Sequence, residues 1–299
     1  MSDKVRPRRN GEHRQGEEFL ILRHYKLKKG YHQVFKQTSE RSVWYAYEKI
    51  GTRVVGDFKV VYPTGGGSLD YDENYRLARY ASYDHWVETR RPLRMMGDGP
   101  LFDLLASGAS RRMEYVTDSD GAYHLTGSMI EDAPYHLPGL DERYELSQDG
   151  GGEAVPVRYD LPIPGEGLAE LCCWKIEKGS FEAFDTLTRD GMLPVMNKMG
   201  MRGLGIWKLV HNEHAIGEEN DRYDEAMMII RYASYEHWQA SREPAKIIGN
   251  GPDFEAWRKA YERREALVQE KWQRFLQGEL YNSPPTYIPP LKENYVRKL

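Results

Sequence analysis

The feature that most constrains the fold of this chain is an internal repeat. Residues 79–86 read RYASYDHW and return as residues 231–238, RYASYEHW, at an offset of 152. Upstream the offset is 149, so the second copy carries three extra residues in the polar stretch that follows His211. Such an insertion is typical of a surface hairpin. A repeat of this length predicts one structural unit that is built twice in the chain.

The chain of 299 residues has room for two units of ordinary domain size, which agrees with the repeat. The second repeat is expected to end in one long amphipathic helix over 253–278, and the first in a closing strand over 112–116. We predict a disordered tail at 1–16, a first repeat at 17–117, a linker at 118–167, a second repeat at 168–280 and an extended Pro-rich tail at 281–299.

Composition argues against several functional classes. The net charge of −4 gives no reason to expect nucleic-acid binding. No apolar run reaches the ~20 residues that cross a bilayer, and the polar N-terminus lacks a signal-peptide pattern, so we expect a cytoplasmic protein without membrane contact. The adjacent Cys172 and Cys173 are expected to be reduced and buried. No spacing of His and Cys residues predicts a metal site.

Each copy has the pattern strand, helix, strand, strand, helix, which predicts a ferredoxin-like unit. The first helix, over 31–49, is predicted to turn Phe35, Ser42 and Tyr45 toward one face. One sheet that is covered by helices on one side leaves its other side open, and two copies can bury those open sides together. We therefore predict an α+β fold in which two tandem ferredoxin-like repeats form a barrel within one chain.

The second copy carries the motifs of a known superfamily. They are the strand 171–176, the turn Lys178-Gly179, the segment GMLP at 191–194, the segment GIW at 205–207 and the strand–helix corner at 230–238. Through them the chain resembles the dimeric α/β-barrel superfamily, and within it the NIPSNAP-like domains, over about 19–116 and 169–260. The resemblance implies a barrel of two ferredoxin-like units with a pocket between each sheet and its helices.

The two copies also allow an internal comparison. Tyr80 and His85 recur as Tyr232 and His237, and shared positions are best explained by packing and capping at the strand–helix corner. The alternative is a pair of equivalent sites, each with a His and a Tyr. Positions at which only the first copy is polar point more directly to function. They are Arg23-His24-Tyr25 against Cys172-Cys173-Trp174, WYAY at 44–47 against LPVM at 193–196, Asp57 against Ile206, and Arg76 against Met228.

Burying such polar groups costs several kcal/mol unless they are paired, so the first copy either pairs them or uses them. We predict a catalytic set of His24 as base, Asp57 as its orienting partner and Tyr45 as a proton donor. Further residues are predicted to contact the substrate, namely Arg23, Trp44, Tyr47, Arg76, Tyr80 and His85. The alternative is an Arg–Asp ion pair at a sheet edge, with His24 bonded to the backbone.

The functional prediction is a cofactor-independent enzyme, of the lyase, hydratase, isomerase or oxygenase type, that acts by acid–base chemistry on a small apolar organic molecule in the first repeat. Relatives implied by the resemblance also include proteins without known activity and haem proteins. A non-catalytic ligand-binding or interaction protein is therefore one alternative, and a haem protein with His85 or His237 as ligand is another. Neither a metal nor another cofactor is expected, and assembly into a homo-oligomer stays open.

Overall fold

The computed structural model describes residues 18–63, 65–80, 82–130 and 168–281. The predicted tail at 1–16, most of the predicted linker and nearly all of the Pro-rich tail lie outside these ranges. Within them, no helix combines the length and the apolar composition that crossing a membrane requires.

Both repeats build the same series of elements. The first contains β1 (Glu18–Lys28), α1 (His32–Thr38), a π-helical segment (Ser39–Trp44), α2 (Tyr45–Lys49), β2 (Arg53–Val61), β3 (Tyr71–Tyr80), α3 (Tyr83–Thr89), α4 (Pro92–Met96), α5 (Pro100–Met113) and β4 (Val116–Met129). The second contains β5 (Leu168–Glu177), α6 (Phe181–Thr186), a π-helical segment (Leu187–Met192), α7 (Leu193–Lys198), β6 (Arg202–Leu209), β7 (Tyr223–Tyr232), α8 (Tyr235–Ser241), α9 (Pro244–Ile248), α10 (Pro252–Glu265) and β8 (Val268–Leu280).

The eight strands close into a barrel in the order β1-β3-β2-β8-β5-β7-β6-β4. Two strands join the repeats: β4 pairs with β1 of its own repeat and with β6 of the other, and β8 pairs with β5 and with β2. Each of these eight strands thus has a neighbour on both sides. The predicted α+β fold of two ferredoxin-like units that form one barrel is thus confirmed.

The barrel interior is filled by apolar side chains from both repeats. Successive strand residues point to opposite faces, so every second side chain enters the interior. Leu22, Phe58 and Leu77 of the first repeat meet Leu171 and Trp207 of the second there. The helices cover the outer face of the sheet. A second layer of buried side chains therefore lies between the sheet and the helices of each repeat.

The ends of both repeats differ from the prediction. Residues 112–116 are not a closing strand, because α5 runs through Met113 and β4 continues to Met129, so the residues 118–129 assigned to the linker are a strand. The predicted helix over 253–278 is two elements, since α10 ends at Glu265 and β8 follows. The charged, Gln-rich sequence of β8 favours a helix locally, but pairing on both sides and the burial of Leu276 in the interior override that preference.

Candidate functional site

The outer face of the first repeat carries a compact group of polar side chains. Arg23 of β1 and Asp57 of β2 both pair with Arg76 of β3, so these residues form one row across three strands. The next row contains Tyr25 beside Asn74. Regular antiparallel pairing thus places five polar side chains on adjacent positions of one sheet face. Helices α1, α2 and α5 cover this face and add further polar groups.

Tyr25 lies at the centre of this group and is 3% exposed. Nη2 of Arg76 donates to its hydroxyl at 3.5 Å, and the guanidinium of Arg112, from α5, lies 5.8 Å from the centre of its ring. Burial acts to raise the pKa of Tyr25, but the charges of Arg76, Arg112, Arg23 and Arg90 outweigh it and lower this pKa to about 7. Tyr25 is therefore a phenol that can gain or lose a proton near neutral pH.

Tyr80 extends the group toward α3. It is buried, and burial raises its pKa even though Arg76, Arg23 and Arg90 act in the opposite direction. Tyr47, from α2, also acts on both Tyr80 and Arg76. Two phenols in one cluster thus have pKa values displaced in opposite directions, which is the arrangement expected of a proton acceptor and a proton donor. We refer to Arg23, Tyr25, Tyr47, Arg76, Tyr80, Arg90 and Arg112 as the Tyr–Arg cluster.

Asp57 and Asn74 continue the cluster toward α1. Nδ2 of Asn74 lies 3.1 Å from Oδ1 of Asp57 and 3.0 Å from Nε2 of His32. Burial raises the pKa of Asp57 to about 6 despite the hydrogen bond from Asn74 and the charge of Arg76. Burial and the charges of Lys59 and Lys36 lower the pKa of His32 to about 4, so this ring is neutral and accepts the bond from Asn74.

Several buried polar atoms of this region have no hydrogen-bond partner among the described residues. They are Nε of Arg76, Nε and Nη1 of Arg112, Oδ2 of Asp57 and Oδ1 of Asn74. Unpaired buried donors cost free energy, and buried cations cost more. Because donors of two guanidinium groups are left over beside a phenol, the cluster is chemically suited to an anion.

The same positions of the second repeat are apolar. At the offsets that relate the repeats, Trp174, Ala226, Met228, Ile206 and Met196 replace Tyr25, Asn74, Arg76, Asp57 and Tyr47. Three members of the cluster recur in the second repeat: Tyr232 replaces Tyr80, Arg242 replaces Arg90, and Arg264 replaces Arg112 and stacks on Trp174 and Phe184. The other positions belong to an apolar core. The fold is therefore stable without polar groups at the positions of Tyr25, Tyr47 and Arg76, which separates this part of the Tyr–Arg cluster from the requirements of folding.

The structure brings together most of the residues predicted to bind substrate, but it separates the predicted catalytic pair. Arg23, Tyr47, Arg76 and Tyr80 belong to the Tyr–Arg cluster, and Asp57 is next to it. His24 instead points into the barrel, where it stacks on Tyr75 at 4.5 Å and bonds to Glu73 at 3.0 Å. A predicted His24–Asp57 dyad is thus wrong, because strand alternation places the two side chains on opposite faces of the sheet.

Tyr45 and Trp44 also differ from the prediction. Tyr45 is 47% exposed and lies under Lys49, so it does not reach the cluster. Trp44 is buried in an apolar group with Leu105, against which Tyr47 and Tyr281 pack, and its ring contacts that of Tyr281. For Tyr45, the cause is the π-helical segment Ser39–Trp44, whose wider turn rotates the residues that follow it relative to a regular helix. The sequence-based prediction assumed 3.6 residues per turn throughout that segment.

The repeated corner is a structural device in both copies. Oγ of Ser82 and Oγ of Ser234 accept the backbone N–H of His85 and His237, each at 3.1 Å. Nε2 of His85 donates to the carbonyl oxygen of Ile50 at 2.7 Å, and Nε2 of His237 donates to Met199 at 2.8 Å. These rings fix the corner to the preceding helix–strand turn. With Nε2 engaged in this way, neither histidine fits the role of a haem ligand. His85 contacts the Tyr–Arg cluster through an edge-to-face contact with the ring of Tyr80, at 5.8 Å between ring centres, and His237 contacts Tyr232 in the same way at 5.7 Å.

The sequence interpretation left out Tyr25, Asn74, His32 and Arg112 as site residues. The first three were accessible to the comparison of copies, since the second copy has Trp174, Ala226 and Phe181 there. Arg112 could not be found in that way, because the second copy also has an arginine there, Arg264. In addition, the segment of Arg112 was predicted as a strand, whereas it is part of the helix α5 that covers the site.

No protein-family model matches the chain, and no curated protein does either. Solved structures do. A candidate monooxygenase from Lactobacillus acidophilus NCFM matches with a TM-score of 0.50 and 11% identity over 92% of this chain and all of that one. A second candidate monooxygenase, from Fusobacterium nucleatum, matches with a TM-score of 0.49 and 9% identity over 91% and 97% of the two chains.

An uncharacterized NIPSNAP domain protein from Burkholderia xenovorans matches 40% of this chain and 99% of its own length, with a TM-score of 0.27 and 18% identity. At 11% identity, the similarity to the Lactobacillus acidophilus structure establishes the fold and nothing further. The chain has the dimeric α/β-barrel fold that its sequence motifs predicted, with both halves of the barrel in one polypeptide.

Proposed function

We propose that this protein is an enzyme that binds a small organic acid or phenol in the first repeat and transfers a proton to or from it at the Tyr–Arg cluster. The observation that carries the proposal is the contrast between the repeats: guanidinium, phenol and carboxyl groups are buried where the other repeat packs Met, Trp and Ile. Groups that the fold does not need, and that cost stability, are typical of a functional site.

The chemistry follows from the roles that the side chains can fill. Arg76 and Arg112 would hold the anionic oxygen of the substrate with donors that have no partner among the described residues. Tyr25 would accept a proton as phenolate or return it as phenol, since it titrates near neutrality. Tyr80, which stays protonated, would donate a hydrogen bond to a second oxygen. Stabilising an enolate or phenolate in this way supports isomerisation, elimination or direct reaction of the carbanion with oxygen.

The match to a candidate monooxygenase agrees with the last of these outcomes but does not select it. A non-catalytic ligand-binding protein is the second candidate, because an anion site also suits a carrier. Proton exchange separates the two candidates. An enzyme of the proposed kind should catalyse exchange of acidic C–H protons of small aromatic ketones with D2O, as followed by NMR, and Tyr25→Phe should abolish that exchange while ligand binding persists.

Binding is tested with benzoate as the probe. Arg76→Met introduces the residue of the second repeat and should weaken binding at least tenfold, since it removes the charge–anion contact. Arg258→Met is the matched control, because Arg258 lies exposed on α10 with Glu255 and Glu262 as partners. If benzoate bound both variants and the unchanged protein equally, an anion site at the Tyr–Arg cluster would be refuted.

A further inference from the structure

His124 of β4 is a buried imidazole without a hydrogen-bond partner among the described residues. Its side chain is 1% exposed, and neither Nδ1 nor Nε2 is paired. Three aromatic rings surround it: Trp86 at 4.6 Å, Phe19 at 5.6 Å and Tyr83 at 5.9 Å between ring centres. A neutral imidazole presents one donor and one acceptor, so both are left without partners in this apolar setting.

The second repeat shows that the packing here does not require a histidine. The counterpart of His124 in the second repeat is Phe275. His124 pairs with Ile21, and Phe275 pairs with Glu170, which is the residue equivalent to Ile21 at the offset of 149. Phe275 meets Trp238 at 4.8 Å and 84°, much as His124 meets Trp86 at 4.6 Å and 68°. Phenylalanine thus fills this position without any polar atom. The imidazole nitrogens of the first repeat need another explanation than packing.

Arg23 connects His124 to the proposed site. Its positive charge lowers the pKa of Tyr25 on one side. On the other side, burial is the main cause that lowers the pKa of His124, and the charge of Arg23 is the next. Arg23 pairs with Ala122, two residues before His124 on β4. His124 is therefore the diagonal neighbour of Arg23 on the outer face of the sheet, at a separation of about 7–8 Å between the backbones. Long side chains reach across such a separation, so one small ligand can contact both residues.

The segment that follows His211 in the second repeat, which carries the three inserted residues, covers His124. The N–H of Ile216 donates to the carbonyl oxygen of Ala122 at 2.8 Å, and Ala215 forms a bridge with the same residue. The hydroxyl of Tyr83 donates to the carbonyl oxygen of Glu213 at 3.3 Å, and His214 lies 6.2 Å from Trp86. His124 is thereby closed off from solvent, while Phe275 stays partly exposed.

We infer that His124 is a specificity-determining residue of the first repeat, which hydrogen-bonds a second polar group of a substrate whose acidic group is held in the Tyr–Arg cluster by Arg76 and Arg112. The inference rests on the proposed function and narrows its substrate class to bifunctional acids, which carry a hydroxyl or carbonyl group in addition to the acidic group. His124 then supplies to the bound ligand the donor or acceptor that has no partner in the part of the chain that the structure describes.

The test compares 4-hydroxybenzoate with benzoate by calorimetric titration. The unchanged protein should bind 4-hydroxybenzoate at least tenfold more tightly, because a buried polar group discriminates strongly against a ligand that leaves it unpaired. His124→Phe, the residue of the second repeat, should retain benzoate binding and lose the preference. Arg76→Met should weaken the binding of both acids.

The outcomes separate the two proposals. If His124→Phe and the unchanged protein prefer 4-hydroxybenzoate over benzoate to the same degree, the role of His124 is overturned. Loss of binding in Arg76→Met would still support the proposed function in that case. Failure of both acids to bind the unchanged protein overturns both proposals. The melting temperature is a second readout: His124→Phe should raise it, since an unpaired buried imidazole is replaced by a ring that fits. A lower melting temperature would make His124 a structural residue and overturn the inference.

Discussion

The Asp57 carboxyl group shows how a single buried residue of the first repeat opposes stability. Its pKa is raised from 3.8 to about 6, chiefly by burial, so the folded state binds the proton more tightly than the unfolded chain. An acid with a raised pKa costs nothing below the unfolded value, and the cost grows as pH rises from 3.8 to 6. About two pKa units correspond to roughly 3 kcal/mol.

Asp57→Asn should therefore stabilise the protein in a pH-dependent way. We expect the free energy of unfolding at pH 7 to rise by up to roughly 3 kcal/mol relative to the unchanged protein, and the gain to shrink toward pH 4. Urea unfolding at the two pH values measures it. Asp224→Asn is the control of opposite sign, since Lys178 and the N–H of Gly179 outweigh burial and lower the pKa of Asp224. That variant should lose stability at pH 7 and approach the unchanged protein in acid.

Tyr25 makes a second prediction at the same scale. Ultraviolet difference spectra should show one phenol ionising near pH 7, well before the bulk of the 21 tyrosines. Tyr25→Phe should remove that step, and Arg112→Met should move it to higher pH because a nearby positive charge is lost. Tyr45→Phe, at an exposed phenol outside the cluster, should leave it in place. A titration without an early step would contradict the electrostatics assigned to the cluster.

At the scale of elements, equivalent histidine contacts hold the corner between β3 and α3 in the first repeat and the corner between β7 and α8 in the second. His237→Ala would leave the carbonyl oxygen of Met199 and the N–H of Ala233 without their partner. We expect a loss of about 1–3 kcal/mol in the free energy of unfolding. His85→Ala should lose a similar amount through the bond to Ile50, and benzoate binding should survive in the folded fraction of both. Loss of binding by His85→Ala with unchanged stability would place the site at the corner instead.

The elements also show what sequence can and cannot predict here. The repeat predicted the paired units, and the polar substitutions predicted Arg23, Tyr47, Asp57 and Arg76 as a group. The orientation of His24 was not accessible, because alternation relates neighbours on a strand without fixing which face is inside. The positions of Tyr45 and Trp44 depended on a π-helical segment that has no reliable sequence signal. The strand character of β8 depends on pairing with both repeats, which is information outside its own sequence.

At the scale of the whole molecule, the barrel is closed by two seams at which a glycine allows close approach. In the seam between β2 and β8, a Cβ atom on Gly278 would lie 2.0 Å from the carbonyl oxygen of Asp57 and 2.8 Å from Cα of Phe58. In the other seam, Gly127 has a φ of +146°, and a Cβ atom there would lie 2.5 Å from the carbonyl oxygen of Ile206. Backbone atoms cannot move aside as flexible side chains do, so both seams require glycine.

Gly278→Ala should consequently destabilise both repeats together. We expect a loss of about 3 kcal/mol or more in the free energy of unfolding, because the added methyl group forces β8 away from β2. Each repeat supplies a strand that closes the other, so fluorescence and far-ultraviolet dichroism should still report one coincident transition. Gly251→Ala is the matched control: its φ is −87° and no atom lies within 4 Å of the new Cβ position, so stability should change by less than about 1 kcal/mol.

The same variant connects the seam to the site. Asp57 contributes its carbonyl oxygen to the seam and its side chain to the edge of the Tyr–Arg cluster, so a displaced β2 shifts the row that also holds Arg76. Gly278→Ala should therefore weaken benzoate binding even where the protein remains folded, whereas Gly251→Ala should not. Two separate unfolding transitions in Gly278→Ala, with the second repeat unchanged, would show that the repeats fold independently and that the barrel is not one cooperative unit.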